Sequence, residues 1–125
     1  MTHLTLDADE RRALEIFLDR LLRRVPAAVE QVDMFGSKAR GDSHPESDID
    51  IMVVLDVVSE SKANAIYDAV IDTLLETGIY LSALVYGGNE FRSLMAERTP
   101  FMQNVAEEGI TLWSRIGEQK LLPTE

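Results

Sequence analysis

The sequence predicts a small mixed β-sheet with helices packed on it, an α/β or α+β domain. Three observations carry that prediction. Two long stretches place apolar residues at three- and four-residue steps. Three short aliphatic runs are bounded by turn residues. Helical and strand-like segments alternate along most of the chain.

Residues 7–25 read as the first helix: Asp7 and Glu10 resemble a capping box, and Leu14, Phe17, Leu18, Leu21, Leu22 and Val25 form the apolar stripe. Pro26 ends it. Arginines 11, 12, 20, 23 and 24 fall largely off that stripe and read as a solvated face, with a docking surface as the alternative. Residues 31–36 and 48–55 follow as two strands, the second reading "DIDIMVVL". Residues 59–77 form the next helix, with Ser59 as cap, Ala63, Ile66, Val70 and Leu74 on one face, and Gly78 as the stop. "IYLSALVY" (79–86) is a third strand. From Glu90 to about Gly109 the chain reads as two helical pieces divided at Thr99-Pro100. "ITLW" (110–113) is short enough for an edge strand, and "EQKLLPTE" at the end is expected to be loosely ordered.

With 125 residues and no linker, repeat or low-complexity tract, residues 1–125 are expected to form one domain. Composition is that of an ordinary globular protein, 46% hydrophobic and 27% charged. No apolar run is long enough to span a bilayer and no signal-peptide pattern opens the chain. With no cysteine, the expected setting is cytoplasmic, with no membrane partner. A net charge of -10 argues against direct nucleic-acid binding, which needs a basic footprint. It leaves room for a nucleotide held through cations, and it suits a basic protein partner.

One stretch departs from the globular pattern. "MFGSKARGDSHPESDIDIMVV" joins an apolar run to a Gly36-Ser37 turn, then brings Asp48 and Asp50 onto an otherwise apolar strand. Side chains alternate along a strand, so the two aspartates share one face while Ile49, Ile51 and Val53 take the other. Alone, such a pair reads most simply as exposed acids. Beside a Gly-Ser turn it reads differently. Gly36 allows close backbone approach, and Ser37 offers an N–H and a hydroxyl to phosphate oxygens. Lys38 and Arg40 add cations, and two neighbouring carboxylates suit magnesium, which takes one or two of them plus substrate phosphates. Metal and phosphate in one place is the layout of metal-assisted phosphoryl or nucleotidyl transfer.

Gly36-Ser37, ten residues, then Asp48-x-Asp50 resembles the GSx10DxD signature of the DNA polymerase β-like nucleotidyltransferase superfamily. The longer "FGSKARGDSHPESDIDIMV" looks like its minimal nucleotidyltransferase branch, and "RTPFMQNVAEEGITLW" is similar to a C-terminal segment common there, so the resemblance spans about residues 30–113. It implies a nucleotidyltransferase fold. It also implies ATP or another nucleoside triphosphate bound with two Mg2+ ions, and transfer of a nucleoside monophosphate to a hydroxyl with release of pyrophosphate. Gly36 and Ser37 would hold the outer phosphates, and Asp48 and Asp50 would be the catalytic metal ligands. Lys38 would assist nucleotide binding, and Arg40 would contact phosphate or brace the loop. Minimal nucleotidyltransferases often pair with a HEPN-type protein in toxin–antitoxin systems, so the implied role is an antitoxin that adds AMP to that partner or neutralises it. The resemblance further implies a third carboxylate on the third strand, where this chain aligns Ser82. That substitution keeps open a catalytically silent nucleotide- or partner-binding subunit; a small-molecule (antibiotic) nucleotidyltransferase is a further alternative, disfavoured because 125 residues leave little room for an acceptor pocket.

Overall fold

The computed structural model describes residues 6–40, 48–116 and 119–120. Asp7 caps the first helix, α1 (Ala8–Arg24): its carboxylate accepts from the Glu10 backbone N–H at 2.8 Å, and Glu10 reciprocates at 3.1 Å. Strand β1 (Val29–Phe35) leads through Gly36 into a single helical turn, α2 (Ser37–Arg40). Strand β2 (Ile49–Leu55) and helix α3 (Glu60–Thr77) follow. The Ser59 hydroxyl accepts from the Lys62 N–H, and Gly78 closes the helix in the left-handed conformation. Strand β3 (Leu81–Gly87), helices α4 (Gly88–Glu97) and α5 (Pro100–Glu108), and strands β4 (Ile110–Ser114) and β5 (Gln119–Lys120) complete the order. The anticipated break at Thr99-Pro100 is present, with the Thr99 hydroxyl accepting from the Met102 N–H.

These strands form one mixed sheet in the order β3-β2-β1-β4-β5, with β2 parallel to β3 and the other pairs antiparallel. Two expectations need correction here. Residues 110–113 form an interior strand, because the tail returns and pairs Gln119 and Lys120 with Ser114 and Trp113. Those two tail residues are therefore tied by a ladder that local sequence does not announce.

Both sheet faces are covered, and alternation decides what each receives. Ile49, Ile51, Val53 and Leu55 join Val32 and Met34 under α1 and α3, packing on Leu14, Phe17, Leu18, Leu21 and Ile66. Met52 and Val54 face the other way, onto Met102 and Val105 of α5, with Phe91, Leu94 and Met95 of α4 beside them. Arg20 and Arg24 of α1 pair with Asp72 of α3, and Arg20 also reaches Glu76, so these two arginines clamp helices together. No helix among the described residues is long and apolar enough to cross a membrane.

Candidate functional site

Gly36 ends β1 with a φ of +77°, the left-handed region that glycine adopts without steric cost. Position 36 also demands glycine for space. A Cβ there would stand 2.5 Å from Asp50 Oδ2, so the main chain lies directly against the carboxylate. The turn redirects the chain into α2, whose Ala39 packs into the α1/α3 core. Ser37 opens that helical turn and Arg40 closes it.

Asp48 precedes β2 and is exposed, whereas Asp50 lies within the strand and is half-buried. Across the sheet Asp50 pairs with Phe35 on β1 and with Ser82 on β3. Strand alternation puts Asp48 and Asp50 on the α4/α5 face, one pleat beyond Met52. The parallel register sets Ser82 beside Asp50, in line with the position read from sequence. Gly36, Asp48, Asp50 and Ser82 thus gather at one corner of the sheet.

Lys38 takes a different place. It is only 2% exposed, and its Nζ lies 2.6 Å from Glu10 Oε2 on α1. Glu10 also completes the N-terminal cap, so the ammonium binds α2 to the first turn of α1. A buried ion pair of this kind is costly to break, because the surviving charge would be left without compensation. The role visible for Lys38 is bracing. The residues between Arg40 and Asp48 lie outside the described ones.

The donor chemistry fits magnesium. Two carboxylates stand one pleat apart, and the glycine beside them has no Cβ to collide with the Asp50 carboxylate. No group of three or more metal-ligating side chains occurs among the described residues, so the remaining oxygens would come from phosphate and water.

Two features escape sequence reasoning. Asp33 on β1 is 6% exposed, sits opposite Met52 on the same face as the acids, and leaves Oδ1 without a hydrogen-bond partner. Desolvation by burial raises its pKa, opposed by hydrogen bonds from Gln31 and Thr111. The second feature is a cavity of about 150 Å3 lined by Phe35, Gly36, Phe101, Asn104, Val105 and Glu108. The signal for it lies in the i, i+3, i+4, i+7 spacing of 101, 104, 105 and 108, which puts an amide and a carboxylate on one flank of α5, beside the buried Met102 and Val105.

Known proteins share the family and the fold. The nucleotidyltransferase domain family matches residues 14–108. A Methanocaldococcus jannaschii chain described as a candidate protein adenylyltransferase is 34% identical over 109 residues, covering 84% of this chain and 99% of that one. Among solved structures, a toxin–antitoxin complex with AMP-PNP superposes with a TM-score of 0.53 at 23% identity, over 82% of this chain and 75% of that one. A tri-AMPylated Shewanella oneidensis HEPN toxin in complex with its MNT antitoxin gives 0.50 at 20% identity, over 86% and 75%. Those two share the fold.

Proposed function

Because this chain belongs to the nucleotidyltransferase domain family, we propose that it binds magnesium–ATP at the Gly36–Asp50 corner and transfers AMP to a hydroxyl of a HEPN-type protein partner, acting as an antitoxin. The observation that carries the reading is the contact between the Gly36 backbone and the Asp50 carboxylate, with Asp48 one pleat away. The names of the M. jannaschii relative and of the AMPylated HEPN complex support adenylyl transfer to a protein. The charge of -10 favours a basic partner surface.

In this reading Asp48 and Asp50 hold Mg2+, which supplies charge neutralisation on the triphosphate. The Gly36-Ser37 backbone lets the outer phosphates approach closely, and Arg40 would contact phosphate or steady the turn. The acceptor hydroxyl oxygen would bond to the α-phosphorus as the bond from that phosphorus to the α–β bridging oxygen breaks; pyrophosphate carries off the electron pair and the hydroxyl proton passes to water.

Ser82 favours a second reading. It stands beside Asp50 where the resemblance implies a third carboxylate, and a serine neither ligates magnesium as an anion nor accepts the hydroxyl proton unaided. A silent subunit, neutralising its partner by binding alone, fits that residue.

Calorimetric titration of the chain with magnesium and ATP, with and without Asp48→Asn/Asp50→Asn, tests the site. The double variant should remain folded and lose magnesium-dependent binding by about a hundredfold or more. Unchanged affinity would refute the metal-site reading. Transfer of label from α-labelled ATP to a co-expressed HEPN-type partner separates active from silent. Ser82→Asp should raise a slow transfer, whereas its failure to produce any would favour the silent subunit.

A further inference from the structure

One edge of the sheet is left unguarded. β3 is an outermost strand among the described residues, joined to β2 in unbroken parallel register. Exposed edges are ordinarily blunted by a charge, a proline, a bulge or short length. β3 has none of these. Leu81–Gly87 runs seven residues without charge, proline or register shift, and residues 77–89 contain no charged side chain at all.

Beside that edge lies an uncovered helix flank. Tyr67, Ile71 and Leu75 of α3 recur at four-residue steps and are 47%, 54% and 78% exposed. Asp72 and Glu76 turn toward α1, where they meet Arg20 and Arg24, while Ile66, Ala69, Val70 and Thr73 turn into the core. At about 100° per residue the Tyr67–Leu75 stripe falls on the flank away from α1. Since α3 packs on both α1 and β3, that flank is the one beside the sheet edge. We propose that edge and flank together form the interface of a symmetric dimer: β3 pairs antiparallel with β3 of a second copy, and the two α3 stripes pack across the same two-fold axis. Neither metal nor nucleotide enters this inference.

Charge selects the occupant. The chain has 22 acidic residues and a net charge of -10, so two copies repel over most of their surface. At β3 they can meet with no like charges opposed along the ladder. A basic partner finds no acid on this strand to pair with, and the acidic surface elsewhere serves it better.

Geometry lets one axis serve both elements. Antiparallel self-pairing uses the whole strand only when Leu84, its middle residue, faces its own copy. Leu84 lies about 10 Å along β3 from Leu81, at about 3.3 Å per residue. Ile71 lies about 9 Å back along α3 from Thr77, at about 1.5 Å per residue. The two stand at about the same level, so an axis through Leu84 brings Ile71 near its copy and Tyr67 near Leu75 of the second copy. Such pairing satisfies the outward N–H and C=O groups of β3. It also sets Tyr86 of the second copy opposite Ser82, in the row that already holds Asp50.

Sedimentation equilibrium of the full chain, over a series reaching hundreds of micromolar, should show a reversible monomer–dimer equilibrium. Glu60 and Asp68 border the stripe, so added salt should tighten the dimer or leave it unchanged. Leu84→Lys and Ile71→Glu, both at exposed positions, should each raise the dissociation constant about tenfold or more, with unchanged far-ultraviolet circular dichroism. Because the chain has no cysteine, Leu84→Cys should cross-link to its own copy under mild oxidation, whereas Glu15→Cys, at an exposed position on α1, should not. A chain monomeric throughout the series, or a dimer indifferent to Leu84→Lys and Ile71→Glu, would overturn the proposal. So would a dimer that dissociates as salt rises, the behaviour of ion-paired surfaces. If the chain stays monomeric and Leu84→Lys abolishes binding to a co-expressed HEPN-type protein, the edge belongs to that partner and the second copy is refuted.

Discussion

The two faces of the sheet are built on different terms. Under α1 and α3 every inward residue of β2 is apolar and essentially inaccessible, and Phe17, Leu14, Leu18 and Leu21 close over it. Under α4 and α5 the buried cluster is smaller: Met52, Val54, Met102 and Val105, with a ring of partly buried side chains. That second face also carries Asp33, Asp48 and Asp50 and the cavity beside Gly36. Hydrophobic burial scales with apolar area, so the first face supplies most of the stability. The second gives some of that up, because carboxylates and open space cannot be close-packed at no cost.

The largest effect that would break this contrast belongs to the first face. Phe17→Ala should cost about 3–5 kcal/mol in urea-induced unfolding, since it empties a fully buried ring site at the centre of α1. Nucleotide affinity of the molecules that remain folded should stay the same. A loss below about 1 kcal/mol would mean that stability is spread evenly across both faces.

Gly36→Ala is the intermediate case. An alanine at a φ of +77° costs about 1–2 kcal/mol, and its Cβ would displace the Asp50 carboxylate. Magnesium-dependent nucleotide affinity should fall by about tenfold or more, a larger proportionate loss than the change in stability. Equal affinity with lowered stability would detach Gly36 from the site.

Smallest, and opposite in sign, is Asp33→Asn. The raised pKa of Asp33 means that the folded chain holds that proton more tightly than the unfolded chain does. Stability from this group is therefore fullest below the ordinary carboxylate value and declines as pH rises through the raised folded one. The amide cannot ionise and still accepts from Gln31, so the variant should gain about 1 kcal/mol at neutral pH and lose that pH dependence. Denaturant midpoints at pH 4 and pH 7 would show it: parallel behaviour of variant and parent would remove Asp33 as a source of strain on the second face.

Much of this was legible in the chain. Asp7-x-x-Glu10, Ser59 and Gly78, and Thr99-Pro100 each mark a helix end through local hydrogen bonding or backbone preference, and the structure uses all of them. Strand limits were less legible. β1 begins at Val29, two residues earlier than the apolar pattern suggests, because pairing with β2 runs on to Leu55 through a register shift. β5 is set entirely by its partner strand. Asp33 reads as an ordinary polar residue in an alternating strand; only the helices that cover its face make it a buried acid.

By itself the sequence determined the types of the longer elements, the common face of Asp48 and Asp50, and the need for a small residue at the turn after Phe35. Each of those follows from periodicity or backbone sterics within a few residues. Tertiary structure alone decided which residues from distant elements meet. Register pairs Asp50 with Ser82, Glu10 captures Lys38 from across the core, and α5 returns to place Phe101, Asn104 and Glu108 at Gly36. Such meetings depend on strand register and helix packing, which are set by the sum of many weak contacts over the whole chain. No short stretch of sequence contains that sum.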